Sequence, residues 1–153
     1  MAPELLPQVQ AFFAEIGWPA QPYEGRDHVL SFAFKGDTDT WSCFAQVDEA
    51  QRQFIFYSLL PFRVAAARRQ AVMGLITRIN YGIRQGNFEL DLADGELRYK
   101  TALALADGAL TTGMARQLVF ANVGSLNRYL PALQAVARDG AEPQAALAAI
   151  CNA

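Results

Sequence analysis

From Asn87 to Leu105 the sequence NFELDLADGELRYKTALAL alternates apolar and polar residues, turns once, and alternates back. A period of two is the mark of a half-buried strand, so this stretch predicts a β-hairpin. Asp94-Gly95 is the pair that a two-residue primed turn requires, because both central residues take positive φ there. With the turn at that pair, Leu92 faces Leu97, Leu90 faces Tyr99 and Phe88 faces Thr101 on one side. On the other side Asp91 faces Arg98 and Glu89 faces Lys100, so both faces agree with one register. Pairing and turn chemistry account for Glu89, Asp91, Asp94 and Glu96 without a metal or catalytic reading.

Ahead of the hairpin, Leu5, Val9, Phe12 and Ile16 recur at helical spacing and Gly17 followed by Pro19 supplies a stop. Residues 19–27, rich in Pro and Gly, read as a loop, and three β-like runs follow at 28–35, 40–48 and 52–60. Leu30, Phe32 and Phe34 share one face of the first run, as do Trp41, Cys43, Ala45 and Val47 in the second and Phe54 and Phe56 in the third. The opposite faces also carry large groups: Val29, Phe44, Ile55, Tyr57 and Leu59. A sheet apolar on both sides is either covered by a second layer or keeps a patch for a partner.

A second helix is expected from 64 to 83, with Val72, Leu75, Ile76, Ile79 and Ile83 in one core-facing sector. Another side of it carries a ridge of Ala67, Ala71, Gly74 and Arg78 with Tyr81 beside it, where small residues admit a close helix or a second copy of the chain. After the hairpin, Thr111 or Thr112 caps a long helix with Leu118, Val119, Val123, Leu126, Leu130 and Leu133 as its stripe. Pro131 is expected to bend or interrupt that helix. An Ala-rich helical piece from Pro143 to Ile150 follows.

The 153 residues are the size of one domain, and 52% hydrophobic against 18% charged residues describes a chain that buries a core. A net charge of −2 gives no global drive toward nucleic acid or an anionic membrane. Charge is nevertheless uneven: residues 1–49 hold eight acids against Arg26 and Lys35, whereas residues 50–88 hold six arginines and no acid. No apolar run is long enough to cross a bilayer and no basic leader is present, which makes a cytoplasmic protein the expectation. Cys43 and Cys151 are far apart and there is one histidine, so free thiols and no metal site are expected. Phosphate-binding, dinucleotide-binding and nucleophile-elbow motifs are absent, and neither Cys43 nor His28 has partners for catalysis in a shared motif.

The predicted order is α-β-β-β-α-β-β-α, an α+β domain with an antiparallel sheet spanning residues 1–153. Several stretches within it resemble the YbjN family, described as bacterial sensory transduction regulators with a type III secretion chaperone-like fold. They are Asn80 leading to Gly86-Asn87-Phe88-Glu89-Leu90-Asp91, then Asp94-Gly95-Glu96 with Leu97-Arg98-Tyr99-Lys100-Thr101, Leu110-Thr111, and Asn127-Arg128-Tyr129-Leu130-Pro131-Ala132-Leu133. The resemblance covers roughly residues 65–140 and implies a homodimer that acts by contacting other proteins.

The functional expectation is therefore a non-catalytic protein-interaction module with no cofactor, no nucleic acid and no membrane. Phe44, Ile55, Tyr57 and Leu59 are the expected partner-binding residues, and Ala67, Ala71, Gly74, Arg78 and Tyr81 the expected dimer contact. The alternative is a small-ligand sensor using the same apolar sheet face.

Overall fold

The computed structural model describes residues 2–151. Its elements run α1 (Leu5–Glu15), β1 (Gln21–Tyr23), β2 (Arg26–Lys35), β3 (Thr40–Asp48), β4 (Gln53–Leu59), α2 (Arg69–Gly82), β5 (Asn87–Leu90), β6 (Leu97–Ala104), α3 (Thr112–Arg138) and α4 (Pro143–Cys151). The strands form a six-stranded antiparallel sheet in the order β1-β2-β3-β4-β6-β5.

The inward sheet face is the one the alternation predicted. Leu30, Phe32, Trp41, Cys43, Ala45, Val47, Phe54, Phe56, Leu97 and Tyr99 are buried. α1 and α3 lie on them: the Phe13 ring is 4.2 Å from Phe32 and 6.0 Å from Phe56. The stripe of α3 inserts Leu118, Leu126, Leu130 and Leu133, all essentially without exposed surface. Under this helix Asn122 donates from Nδ2 to the carbonyls of Phe56 (2.8 Å) and Tyr99 (3.1 Å), tying α3 to two adjacent strands. Thr101 Oγ1 donates in turn to the Leu118 carbonyl at 2.9 Å.

Two caps come from distant parts of the sequence. Glu4 makes no side-chain cap for α1. Its first amides instead donate to the Glu49 carboxylate, Leu5 N at 2.9 and 3.0 Å and Leu6 N at 3.0 Å, placing an anion at the positive end of the helix. At the other end of the fold, Asn127 of α3 clamps the β2–β3 turn, accepting from Asp37 N at 2.8 Å and donating to Asp37 Oδ2 at 3.0 Å.

The structure corrects four local expectations. First, residues 19–27 are not only a loop: Gln21–Tyr23 form β1, pairing with β2 through a register shift at Pro22/Tyr23. Second, α2 begins at Arg69, after a single 3-10 turn at Ala66–Arg68. Third, α3 runs unbroken through Pro131. Its proline costs about 3 kcal/mol, but each neighbouring leucine returns about 1.5–3 kcal/mol on burial, so packing wins over the missing hydrogen bond.

Fourth, the hairpin register is displaced by two residues. Leu90 pairs with Leu97, Glu89 with Arg98, Phe88 with Tyr99 and Asn87 with Lys100, and Leu92 is 56% exposed in the connection. Faces are preserved because the shift is even. Of the two central residues only Gly95 takes positive φ (81°), while Asp94 spends its carboxylate on the Glu96 amide at 2.9 Å. Asp91 does the same for Ala93 at 2.8 Å, and Gly95 N closes onto the Asp91 carbonyl at 2.8 Å. The wider loop is captured from outside: Val64 N donates to Gly95 O at 2.8 Å, Arg63 pairs with Asp94, and Arg69 donates to the Leu92 carbonyl at 3.1 Å. Contacts from residues 63–69, distant in sequence, thus outweigh the local turn preference.

Candidate binding faces

Because α1 and α3 both lie on the inner face, the outer face keeps its side chains uncovered by any helix among the described residues. Register places them in rows: Ser31, Phe44, Tyr57, Lys100 and Asn87 across five strands, then Val29, Gln46, Ile55 and Ala102, then Leu59, Arg98 and Glu89. Val29, Phe44, Ile55, Tyr57 and Leu59 are all half-buried, neither enclosed nor fully exposed. The four residues expected from the sequence to contact a partner therefore form one cluster.

Two further residues complete it. Tyr23 of β1, 45% exposed, packs edge-on against Phe44 at 5.4 Å, and the Arg98 guanidinium lies 4.3 Å over the Tyr57 ring. These groups border a shallow concavity of about 330 Å³ with Arg26 and Glu96 at its rim. Tyr23 was missed because its strand was read as loop, and Arg98 because the shifted register aligns it with Leu59 and Glu89.

A charge ladder stands beside the cluster. Glu89 accepts from Arg98 Nε and from Lys100 Nζ, each at 2.8 Å. Desolvation works to raise the Glu89 carboxyl, but the bonds and charges of Lys100 and Arg98 outweigh it and hold the group below the ordinary glutamate value. A depressed folded-state value contributes stability above the unfolded value of 4.5 and loses it as pH falls through the folded one. Glu89→Gln should therefore cost about 1 kcal/mol near neutral pH and flatten the acid limb below about pH 4.5, as read from urea midpoints across pH.

Neither sheet edge offers an unbroken ladder for strand addition. On β5, Asn80 of α2 donates to the Phe88 carbonyl at 3.1 Å and accepts from the Phe88 amide at 2.8 Å, filling the positions that a partner strand would use. The other edge, β1, is three residues long and contains Pro22.

The ridge runs from the 3-10 turn into α2 and meets its own chain at Gly74. A Cβ at Gly74 would lie 3.8 Å from Pro143 of α4, and Arg78 donates to the Gly74 carbonyl at 3.1 Å. Ala71 is half-buried, whereas Ala67, Arg78 and Tyr81 are exposed, Tyr81 at 96%. The close helix approach that the small residues permit is thus made by α4.

A different surface lies between the end of α2 and α3. A groove of about 410 Å³ there is lined by Arg84, Phe120, Gly124, Ser125, Arg128 and Tyr129, among others. Gly124 sits inside α3 with ordinary helical φ, and an added Cβ would meet nothing within 4 Å. Helical glycine costs about 1 kcal/mol relative to alanine, and no contact within the chain accounts for it here.

The remaining candidates are quiet. Cys43 and Cys151 are both free, and burial pushes the Cys43 thiol up to about 11 despite nearby Ser58 and Trp41, which makes it a poor nucleophile. No group of His, Cys, Asp and Glu among the described residues is arranged to hold a metal. No described helix is long and apolar enough to cross a membrane.

The chain is an α+β domain with a six-stranded antiparallel sheet and has the type III secretion chaperone-like fold. The chain belongs to the YbjN family, whose model, described as "Putative bacterial sensory transduction regulator", matches residues 6–135. Among solved structures it is similar to YbjN from E. coli, titled "a putative transcription regulator", with a TM-score of 0.65 and 13% identity over 85% of this chain and 89% of that one. It is also similar to a chain of the ExsC-ExsE complex, with a TM-score of 0.56 and 12% identity over 84% of this chain and 98% of that one. At such identities the likeness establishes the fold. No curated protein sequence matches the chain.

Proposed function

We propose that this protein is a non-catalytic regulator or chaperone-like module that holds an extended segment of another polypeptide against the outer face of its sheet. The observation that carries the reading is the uncovered cluster of Val29, Phe44, Ile55, Tyr57 and Leu59, bordered by Tyr23 and Arg98. Apolar area left on one contiguous face of a soluble domain is characteristic of an interaction surface.

The blocked edges favour side-chain contact with the face over strand addition. The row through Phe44 and Tyr57 crosses five strands, about 19 Å at 4.8 Å spacing, which an extended segment of about six residues spans. An open concavity of about 330 Å³ suits such a segment better than a small ligand, which needs a site that encloses it. A fold neighbour seen in a two-protein complex, ExsC-ExsE, is consistent with this mode of action. A homodimer through α2 would use Ala67, Arg78 and Tyr81, the parts of its ridge that α4 leaves exposed.

The test is a titration, by fluorescence anisotropy, of a labelled peptide of about eight residues in which valine and leucine alternate with threonine and one glutamate is placed to meet Arg98. Saturable binding at micromolar concentration is expected, and a scrambled peptide that breaks the alternation should bind more weakly. Equal binding of both peptides would remove the proposal.

A further inference from the structure

The groove between α2 and α3 lies away from the sheet face and carries charge that the rest of the chain does not use. Within residues 50–100 every arginine except Arg84 makes a hydrogen bond or ion pair among the described residues: Arg52, Arg63, Arg68, Arg69, Arg78 and Arg98 all do. α3 contains three arginines and no acid over its 27 residues, and Arg128 lies over the neighbouring Tyr129 ring, 5.4 Å from its centroid. Arg84 and Arg128 thus border one groove with neither guanidinium within ion-pair distance of a described carboxylate. Between them Gly124 leaves a notch in the helix surface, and Phe120 offers a ring that is 39% exposed.

We infer that this groove is a second docking site, for an acidic polypeptide segment whose carboxylates pair with Arg84 and Arg128 while its backbone crosses Gly124. Guanidinium forks match carboxylates in two-point geometry, and a glycine on the surface permits close backbone approach. A polypeptide suits the site better than nucleic acid because two arginines do not make the continuous basic track that a phosphate backbone follows. Its open shape separates it from an enclosing small-anion pocket.

The probe is a fluorescein-labelled peptide of about ten residues, rich in Asp and Glu, titrated at low salt and at about 0.5 M NaCl. The full chain should bind it with salt-sensitive affinity, and the Arg84→Ala/Arg128→Ala double variant should lose about tenfold or more. Gly124→Leu should lose binding by a similar factor while its Tm holds or rises, since leucine is the better helix former and its Cβ meets nothing within 4 Å. The Phe44→Thr/Tyr57→Thr variant on the sheet face should bind the acidic peptide as the parent does, so failure of this proposal and failure of the sheet-face reading are separate results. No binding by the parent, binding unmoved by the arginine and glycine variants, or tighter binding of a single-stranded oligonucleotide of equal charge would each overturn the inference. So would complete displacement of the peptide by millimolar inorganic phosphate at constant ionic strength.

Discussion

Replacing Phe44 and Tyr57 together with threonine should weaken binding of the extended apolar peptide by about tenfold or more, with the fold intact. Both rings are already half-buried in the free protein, so a partner covers about half of each, worth about 0.8–1.5 kcal/mol, and the two losses together exceed the 1.4 kcal/mol or so that a tenfold requires. Threonine suits a strand, so the backbone is not challenged. The cost to the free protein is limited to the contact of Tyr23 with Phe44 and of Arg98 with Tyr57, about 1 kcal/mol each. Thermal melts should shift by only a few degrees while the anisotropy titration collapses. Matching losses in both measurements would mean that the two rings are structural.

The largest expected effect on stability is at Gly95. An alanine Cβ there would sit 2.1 Å from the Val64 carbonyl oxygen and 3.0 Å from its carbon, at a backbone φ of 81°. Val64 cannot retreat easily, because its amide donates to Gly95 O and its carbonyl accepts from Arg69 Nε at 3.0 Å. Gly95→Ala combines left-handed strain with a backbone clash and should cost about 3 kcal/mol or more, lowering Tm by about 10 °C in a chain of this size. A melt that shifts by less than about 2 °C would show that the loop from Asp91 to Glu96 moves freely away from the segment at Val64.

These two sites mark what the sequence made legible. Alternation identified the sheet, its inner face and the four outer-face residues Phe44, Ile55, Tyr57 and Leu59, because side-chain direction in a strand follows directly from parity. Parity also explains why the faces survived a mistaken register: a shift of two residues leaves Phe88 and Leu90 on the same side. The register itself depended on Arg63, Val64 and Arg69 gripping the loop, a long-range contact that no local turn rule encodes. Pro131 misled for the same reason, since its local cost is set against packing of Leu130 and Leu133 that only the assembled sheet provides.

β1 was hidden because three exposed residues with a central proline carry no hydrophobic period, and with it went Tyr23. The small residues of α2 correctly signalled a close helix, but spacing cannot say whether that helix belongs to the same chain, and α4 occupies Gly74 here. Gly124 gave no sequence signal at all, and Arg84 only its share in the run of six arginines between residues 50 and 88. Their meaning rests on what the folded chain leaves unused around them.

Which surface a bound polypeptide covers decides between the sheet face and every other part of the domain. Backbone amide NMR of the labelled protein, with and without saturating alternating peptide, reads this residue by residue. Perturbations centred on Val29, Phe44, Ile55, Tyr57, Leu59 and Arg98, with Phe88 and Gln21–Tyr23 showing no new strand pairing, are the predicted result. Perturbations confined to the edge strands or to the helical side of the domain, with the amides of Phe44 and Tyr57 unmoved, would contradict it.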